Sequence, residues 1–151
     1  MGNKISEKKA DSVVELFRLS MTTHSLLKVL RSSRPAFGAW LTVPGLLHAR
    51  TLAKSSPHLS WIVVDCEHGT VPLVPGAAES VSAIESAGVT PIIRIPATGV
   101  SGSTSWQIKY ALDAGARGII VPMVRNILFL LFSVVASIYT NRIIGFQCRK
   151  G

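Results

Sequence analysis

The feature that most constrains the fold is a regular alternation of two kinds of segment across the middle of the chain. Four short runs rich in β-branched or aromatic residues, bounded by Gly or Pro, predict strands at residues 37–43, 61–65, 90–95 and 118–123. The stretches between them have helical periodicity, at residues 45–53, 77–86 and 106–114. Near-continuous apolar strands that alternate with helices indicate an α/β fold with a parallel sheet covered on both faces.

Two flanking segments depart from this alternation. Residues 8–32 have apolar spacing that suits one or two amphipathic helices, and Pro35 ends the pattern because the residue before a proline avoids helical geometry. Residues 127–139 are apolar except for two serines. This run is shorter than the roughly 20 residues that a membrane span needs. We therefore divide the chain into a helical N-terminal extension (1–33), an α/β domain (34–124) and an apolar, basic tail (125–151).

The net charge of +8 raises the question of nucleic-acid binding, so its position matters. Residues 1–34 hold seven basic and three acidic groups, residues 35–124 hold five of each, and residues 125–151 hold four basic groups and no acid. The excess is therefore +4, 0 and +4 in the three parts. A neutral central domain has no electrostatic footprint for a phosphate backbone, so we expect no nucleic-acid partner.

The cysteines and the N-terminus bear on localisation. Cys66 and Cys148 cannot form a disulfide framework and have no CxxC spacing, which favours a reducing, cytoplasmic compartment. The first twenty residues lack the continuous apolar core of a secretory signal. The start at Gly2 matches the short pattern for N-myristoylation, but such a short match has little specificity, and membrane attachment is a minor alternative.

Three polar residues are candidates for chemistry, because strand ends collect active-site groups in parallel α/β folds. His68 directly follows the second strand within the polar run 65–69 and could act as a general base, a metal ligand or a strand cap. Arg94 lies in an apolar strand and needs an anion, which could be a protein or a substrate carboxylate. Asp113 is the first acid that follows Arg94 in the sequence and could serve either Arg94 or His68.

The order of these segments resembles the HpcH/HpaI aldolase/citrate lyase family. The resemblance covers about ninety residues and runs through GAWL (38–41), WIVVDCEHG (61–69), PIIRIP (91–96), QIK (107–109), ALDAGA (111–116) and GIIVPMV (118–124). The family adopts a (β/α)₈ TIM barrel, so the resemblance implies that residues 34–124 form about the first four βα units. A complete barrel needs roughly 200 residues or more, which exceeds the 151 residues of this chain.

The resemblance also implies a function. Members are carbon–carbon lyases, class II pyruvate aldolases that act on a 2-oxo acid and an aldehyde through an enolate stabilised by Mg²⁺ or Mn²⁺. By resemblance, His68 is the catalytic base, Asp113 is the acid that supports it, and Arg94 binds the substrate. The metal-binding carboxylates of the family lie on later strands, and this chain contains no Asp or Glu after Asp113. We therefore assign no metal ligand here.

Three alternatives remain open from the sequence. The chain is an aldolase impaired by truncation, a catalytically dead fragment or interaction remnant, or, with less support, a membrane-attached protein. The tail does not resemble the charged amphipathic helix of the family, which suggests that the family sequence is lost near Val124. A half-barrel would leave apolar surface uncovered, and a homo-oligomer is compatible with that surface.

Overall fold

The computed structural model describes residues 25–32, 34–97, 104–124 and 143–147. Four helices lie in these ranges: α1 (Ser25–Arg31), α2 (Leu46–Ala53), α3 (Gly76–Ser86) and α4 (Thr104–Asp113). Five strands accompany them: β1 (Phe37–Leu41), β2 (Leu59–Asp65), β3 (Thr90–Arg94), β4 (Gly118–Pro122) and β5 (Ile143–Gln147). The bounds of β1 to β4 and α2 to α4 agree within two residues with those predicted from the sequence, because Gly and Pro mark the ends of the apolar runs.

The strands form one sheet in the order β1-β2-β3-β4-β5, and every neighbouring pair is parallel. Helices α2, α3 and α4 each connect two successive strands, which is the repeating βα unit of a parallel sheet. The predicted α/β class and the partial-barrel arrangement are therefore confirmed. Parallel pairing also brings the carboxyl ends of all strands to one edge, where the polar side chains described below lie.

The fifth strand was not predicted. β5 lies in the segment interpreted from sequence as an apolar tail, yet it pairs along β4 from Gly118↔Ile143 to Pro122↔Gln147. The segment that joins β4 to β5, residues 125–142, lies outside the described residues, as does the start of the chain with its N-myristoylation pattern. β5 is thus a strand within residues 125–151 that the sequence analysis did not predict, and the division of the chain into three segments stays a prediction.

One face of the sheet packs against α2, α3 and α4. Strand residues on this face include Ile62, Val64, Ile93 and Ile119, all with less than 2 % of their surface exposed. They contact small and branched helix residues, which let the helices approach closely: Ala49, Ala77, Val81, Ile84 and Ala111. This face forms the hydrophobic core and removes most apolar strand surface from water.

The opposite face is covered at one end by α1. The Ser25 hydroxyl donates to the carbonyl oxygen of Ser60 (2.9 Å), and the backbone N–H of Leu26 donates to the Thr90 hydroxyl (3.0 Å). The Leu26 side chain packs with Val63 and Ile92 in a second, smaller cluster. α1 lies within the predicted helical extension and covers this face near the amino ends of the strands.

The structure also bears on the membrane question. None of the helices in the described ranges has the length and apolar character needed to cross a bilayer. The apolar run 127–139 lies outside those ranges, so the alternative of a tail anchor remains a sequence-based expectation.

Candidate functional site

The candidate site begins with two charged residues that end neighbouring strands. Asp65 ends β2, Arg94 ends β3, and the two are direct partners in the parallel register. Side chains alternate along a strand, so both lie on the face opposite the buried Val64 and Ile93. An acidic and a basic side chain therefore lie next to each other at the carboxyl ends of the strands, on the face opposite α2, α3 and α4.

Asp65 and Arg94 form a two-point ion pair. Arg94 Nε donates to Asp65 Oδ1 (2.9 Å) and Nη2 donates to Oδ2 (2.6 Å), with 12 % and 4 % of the two side chains exposed. Burial raises the pKa of Asp65, but hydrogen bonds from Arg94 and from the backbone outweigh it and lower the pKa to about 2. The hydrogen bond to Asp65 in turn raises the pKa of Arg94. Both groups are therefore ionised at neutral pH.

Asp65 also shapes the loop that follows β2. Its Oδ1 accepts hydrogen bonds from the backbone N–H groups of Glu67 (3.1 Å) and His68 (3.2 Å). Gly69 passes so close to the start of this loop that a Cβ there would lie 2.4 Å from the Asp65 carbonyl oxygen. The backbone N–H of Thr70 then donates to the Thr42 carbonyl oxygen after β1 (2.8 Å). The loop that carries His68 is therefore fixed at both ends.

Glu67 lies between the two predicted functional residues. Its Oε2 is 3.4 Å from Arg94 Nη1 and 3.6 Å from His68 Nε2. The Glu67 side chain is 6 % exposed, whereas the His68 side chain is 70 % exposed. The ring of Trp40 lies against the guanidinium of Arg94, with 4.7 Å from Cζ to the ring centroid. Arg94 is thus held by two carboxylates and one aromatic face, and His68 is open to solvent.

Asp113 does not join this cluster within the chain. It ends α4 and pairs with Lys109 one turn earlier, and both side chains are mostly exposed. The backbone N–H of Arg117 donates to the Pro91 carbonyl oxygen (2.8 Å), so the end of α4 lies near the amino ends of the strands. The sequence-based pairing of Asp113 with Arg94 or His68 is not formed in the single chain. The carboxylates beside Arg94 are those of Asp65 and Glu67.

The described residues do not fit a divalent metal. No group of three His, Cys, Asp or Glu side chains in the described ranges is arranged to hold a metal ion. Both carboxylate oxygens of Asp65 accept from Arg94, so they are engaged with a cation already. A hard cation needs several oxygen ligands, and we therefore assign no metal-binding residue here.

Cys66 lies within the same loop but is not a nucleophile. Burial, with the neighbouring charge of Asp65, raises the pKa of its thiol to about 12. The thiol therefore stays protonated at neutral pH, and the thiolate is the reactive form. Cys66 packs in the core with the helix-facing strand residues.

Comparison with known proteins finds aldolases of similar sequence. The chain is 32 % identical over 95 residues to a hydroxypyruvate/pyruvate aldolase of Agrobacterium fabrum. It is 30 % identical over 103 residues to a 4-hydroxy-2-oxo-heptane-1,7-dioate aldolase of Shigella flexneri. These alignments cover 63 % and 68 % of this chain but only 33 % and 36 % of the relatives. The chain therefore spans about a third of their length.

A solved structure extends this similarity to the fold. An HpcH/HpaI aldolase/citrate lyase family protein from Burkholderia cenocepacia superposes with a TM-score of 0.56 at 32 % identity, over 68 % of this chain and 38 % of that chain. The matched part of this chain is therefore similar in sequence and in fold to an HpcH/HpaI aldolase/citrate lyase family protein. Macrophomate synthase, at 23 % identity and a TM-score of 0.57, shows the same fold over 73 % of this chain and 36 % of its own. No family model matches the chain.

Within the matched segment, three residues of the site were not selected from the sequence. Asp65 and Glu67 belong to the polar run that drew attention to His68, but the sequence did not show that they contact Arg94. Trp40 was noted only within a strand motif. The signal that could have found Trp40 and Asp65 is the alternation of faces: with Val64 and Ile93 assigned to the core, residues 40, 65 and 94 fall on the other face. Glu67 lies beyond the end of β2, so strand alternation does not place it.

Proposed function

We propose that the chain is part of a carbon–carbon lyase of the aldolase type, which acts on a 2-oxo acid such as pyruvate or hydroxypyruvate and on an aldehyde. The relatives named above support this reaction class. The observation that carries the proposal is the cluster at the carboxyl edge. There, a fixed guanidinium and an exposed imidazole lie on either side of one carboxylate.

His68 is the proposed base. Its side chain is mostly exposed, so an imidazole nitrogen can reach a substrate, and its backbone is held by Asp65. A neutral imidazole can take a proton from the carbon next to the keto group, leaving an enolate. Asp113 remains a predicted supporting acid by resemblance, but another chain would have to supply it, because within one chain it pairs with Lys109 near the opposite edge of the sheet.

Arg94 is the proposed binding residue for the negative charge that develops on the enolate oxygen. Its Nε and one N–H of Nη2 are taken by Asp65, which leaves the Nη1 end for a ligand. At that end Glu67 Oε2 is near but accepts no hydrogen bond within the described residues. A Mg²⁺ or Mn²⁺ ion would supply further charge stabilisation in this family. The described residues do not fit such an ion, and the proposed roles of His68 and Arg94 do not depend on it.

The proposed partners follow from the same chemistry. They are the small-molecule 2-oxo acid and aldehyde, with no nucleic acid because the central domain is neutral. The cytoplasm is the proposed location, since no disulfide is needed and Cys66 is a buried free thiol. A homo-oligomer is also part of this proposal, because the face that carries Trp40 leaves that side chain 45 % exposed.

Exchange of the methyl protons of pyruvate with D₂O tests the proposed activity without an aldehyde. The 151-residue chain is incubated with pyruvate, with and without Mn²⁺ or Mg²⁺, and the methyl signal is followed by NMR. We expect exchange that falls about 100-fold in His68→Ala, since a positioned base contributes about that much. His58→Ala is the matched control, because His58 is exposed and lies before β2. Equal exchange in both variants would contradict the role of His68.

A second candidate function is a catalytically inactive segment that retains the binding cluster. The observation that favours it is the lack of a metal-ligand group within the described ranges, in a chain that spans about a third of its relatives. No metal-dependent exchange in a folded sample, together with binding of pyruvate that is lost in Arg94→Met, would support this candidate over the lyase.

A further inference from the structure

We propose that Glu67 is the positioning residue for His68: its carboxylate orients the imidazole so that Nε2 carries the proton and Nδ1 is left as the base. The inference rests on the proposed function only in calling His68 a base. The arrangement itself is a contact between two residues of this chain, with 3.6 Å between Glu67 Oε2 and His68 Nε2.

Arg94 holds the Glu67 side chain in place. Its side chain is 6 % exposed, and Oε2 lies 3.4 Å from Nη1 of Arg94. Arg94 is itself fixed by two hydrogen bonds to Asp65 and by the ring of Trp40. A carboxylate supported in this way can orient a mobile neighbour, as residues behind catalytic and metal-binding histidines do.

The carboxylate of Glu67 also needs a hydrogen-bond donor. Oε2 is buried and accepts no hydrogen bond within the described residues. Buried carboxylate oxygens without a donor are costly, and nearly all of them in folded proteins have one. His68 Nε2 is just beyond hydrogen-bond distance, so a rotation of the exposed ring that moves it by less than 1 Å satisfies both groups.

The charged groups around Arg94 are not balanced. Two carboxylates, Asp65 and Glu67, contact the single guanidinium of Arg94, which leaves an excess negative charge that is largely buried. An N–H directed at Glu67 offsets part of that excess, so the imidazole is favoured with its proton on Nε2. The other ring nitrogen, Nδ1, then carries the lone pair.

The experiment measures the order of the His68 ring by ¹³C relaxation in the full chain, with the ring of exposed His58 as the internal reference. We expect an order parameter of roughly 0.8 for His68 and below roughly 0.6 for His58. Glu67→Met removes the acceptor and should lower the His68 value to that of His58. Glu67→Gln keeps a neutral acceptor and should give an intermediate value.

Two further variants separate the alternatives. Glu79→Met makes the same change at an exposed glutamate of α3 and should leave His68 ordered. Asp113→Asn tests the acid suggested by the resemblance. A wild-type His68 ring as mobile as that of His58, or a loss of order in Asp113→Asn with none in Glu67→Met, would overturn the inference. If Glu67→Met does not fold, the order parameters of the His68 ring in wild type and in Glu67→Gln still test the positioning role of Glu67.

Pyruvate exchange is measured on the same samples, so that the two proposals fail separately. An ordered His68 ring without any exchange leaves this inference standing and contradicts the lyase. Exchange with a disordered ring contradicts only the positioning role of Glu67.

Discussion

The two faces of the sheet carry different kinds of side chain. The face toward α2, α3 and α4 carries aliphatic side chains with almost no exposed surface, among them Ile62 and Ile93. The other face carries Asp65, Arg94 and Trp40 at its carboxyl edge, and only a small apolar cluster around Leu26 near the opposite end. Neighbouring residues in one strand therefore belong to different environments.

The two faces therefore contribute differently, one to the stability of the fold and the other to the geometry of the candidate site. Aliphatic packing on the helix-facing side provides most of the free energy of folding, because it removes the larger apolar area from water. The polar face contributes a fixed arrangement of charges, whose net effect on stability is small while its geometry is specific. A strand can serve both purposes because its side chains alternate between the two faces.

The largest expected effect comes from shortening a helix-facing side chain. Ile93→Ala should lower the free energy of unfolding by about 4 kcal/mol, because Ile93 has no exposed surface and a cavity would remain. Ile92→Ala is the matched control. Ile92 directly precedes Ile93 in β3, and its side chain lies on the opposite face of the sheet, in the smaller cluster with Leu26 and Val63. We expect about 2 kcal/mol there. Urea unfolding measures both, and equal losses would contradict the comparison of the faces.

The next effect concerns the polar face. Asp65→Asn should lower the free energy of unfolding by about 3 kcal/mol, because it leaves the guanidinium of Arg94 without its main counter-charge. The loop with His68 should also loosen, since the Asp65 oxygen accepts two of its backbone N–H groups. Urea unfolding and amide exchange at residues 67 and 68 check this. A loss of unfolding free energy below about 1 kcal/mol would mean that the pair of Asp65 and Arg94 contributes no more than a surface ion pair, which would contradict this prediction.

The pH dependence of that pair gives a smaller effect. The pKa of Asp65 is lowered from 3.8 to about 2 in the folded chain, so its stabilisation is present above about pH 4 and is lost as the pH falls toward 2. We expect the difference in unfolding free energy between wild type and Asp65→Asn to shrink by about 2 kcal/mol between pH 5 and pH 2. Carboxylates that do not contact Arg94 contribute equally to both proteins. A constant difference would show that Asp65 does not titrate in this way.

Much of this fold was predictable because its signals are local. The strand 90–95 was recognised from β-branched residues bounded by Gly88 and Pro96, and the structure forms β3 there. β5 was missed because the apolar run 127–139 dominated the interpretation of the tail. Its strand signal is a short run that begins at Ile143, about as far from Gly118 as the earlier strands are from one another.

The site was harder to predict because it depends on pairing between strands. That Arg94 needs an anion follows from the sequence, but its partner Asp65 lies 29 positions away and is fixed only by the register of β2 and β3. Asp113 was a candidate partner because it is the first acid after Arg94 in the sequence. One helix of ten residues carries it instead to the other edge of the sheet, where it pairs with Lys109.

The smallest expected effect is at the exposed ion pair between Lys109 and Asp113. Its contribution to the free energy of unfolding is the reference for that of the buried pair between Arg94 and Asp65. Asp113→Asn removes the ion pair with Lys109, and both side chains are mostly in solvent, where water and salt screen the attraction. We expect the free energy of unfolding to fall by less than about 0.5 kcal/mol, with the difference vanishing in 1 M NaCl. Asp65→Asn should keep most of its effect in the same salt. A loss in Asp113→Asn as large as that in Asp65→Asn would mean that Asp113 has a second partner, and an oligomer is where that partner would be sought.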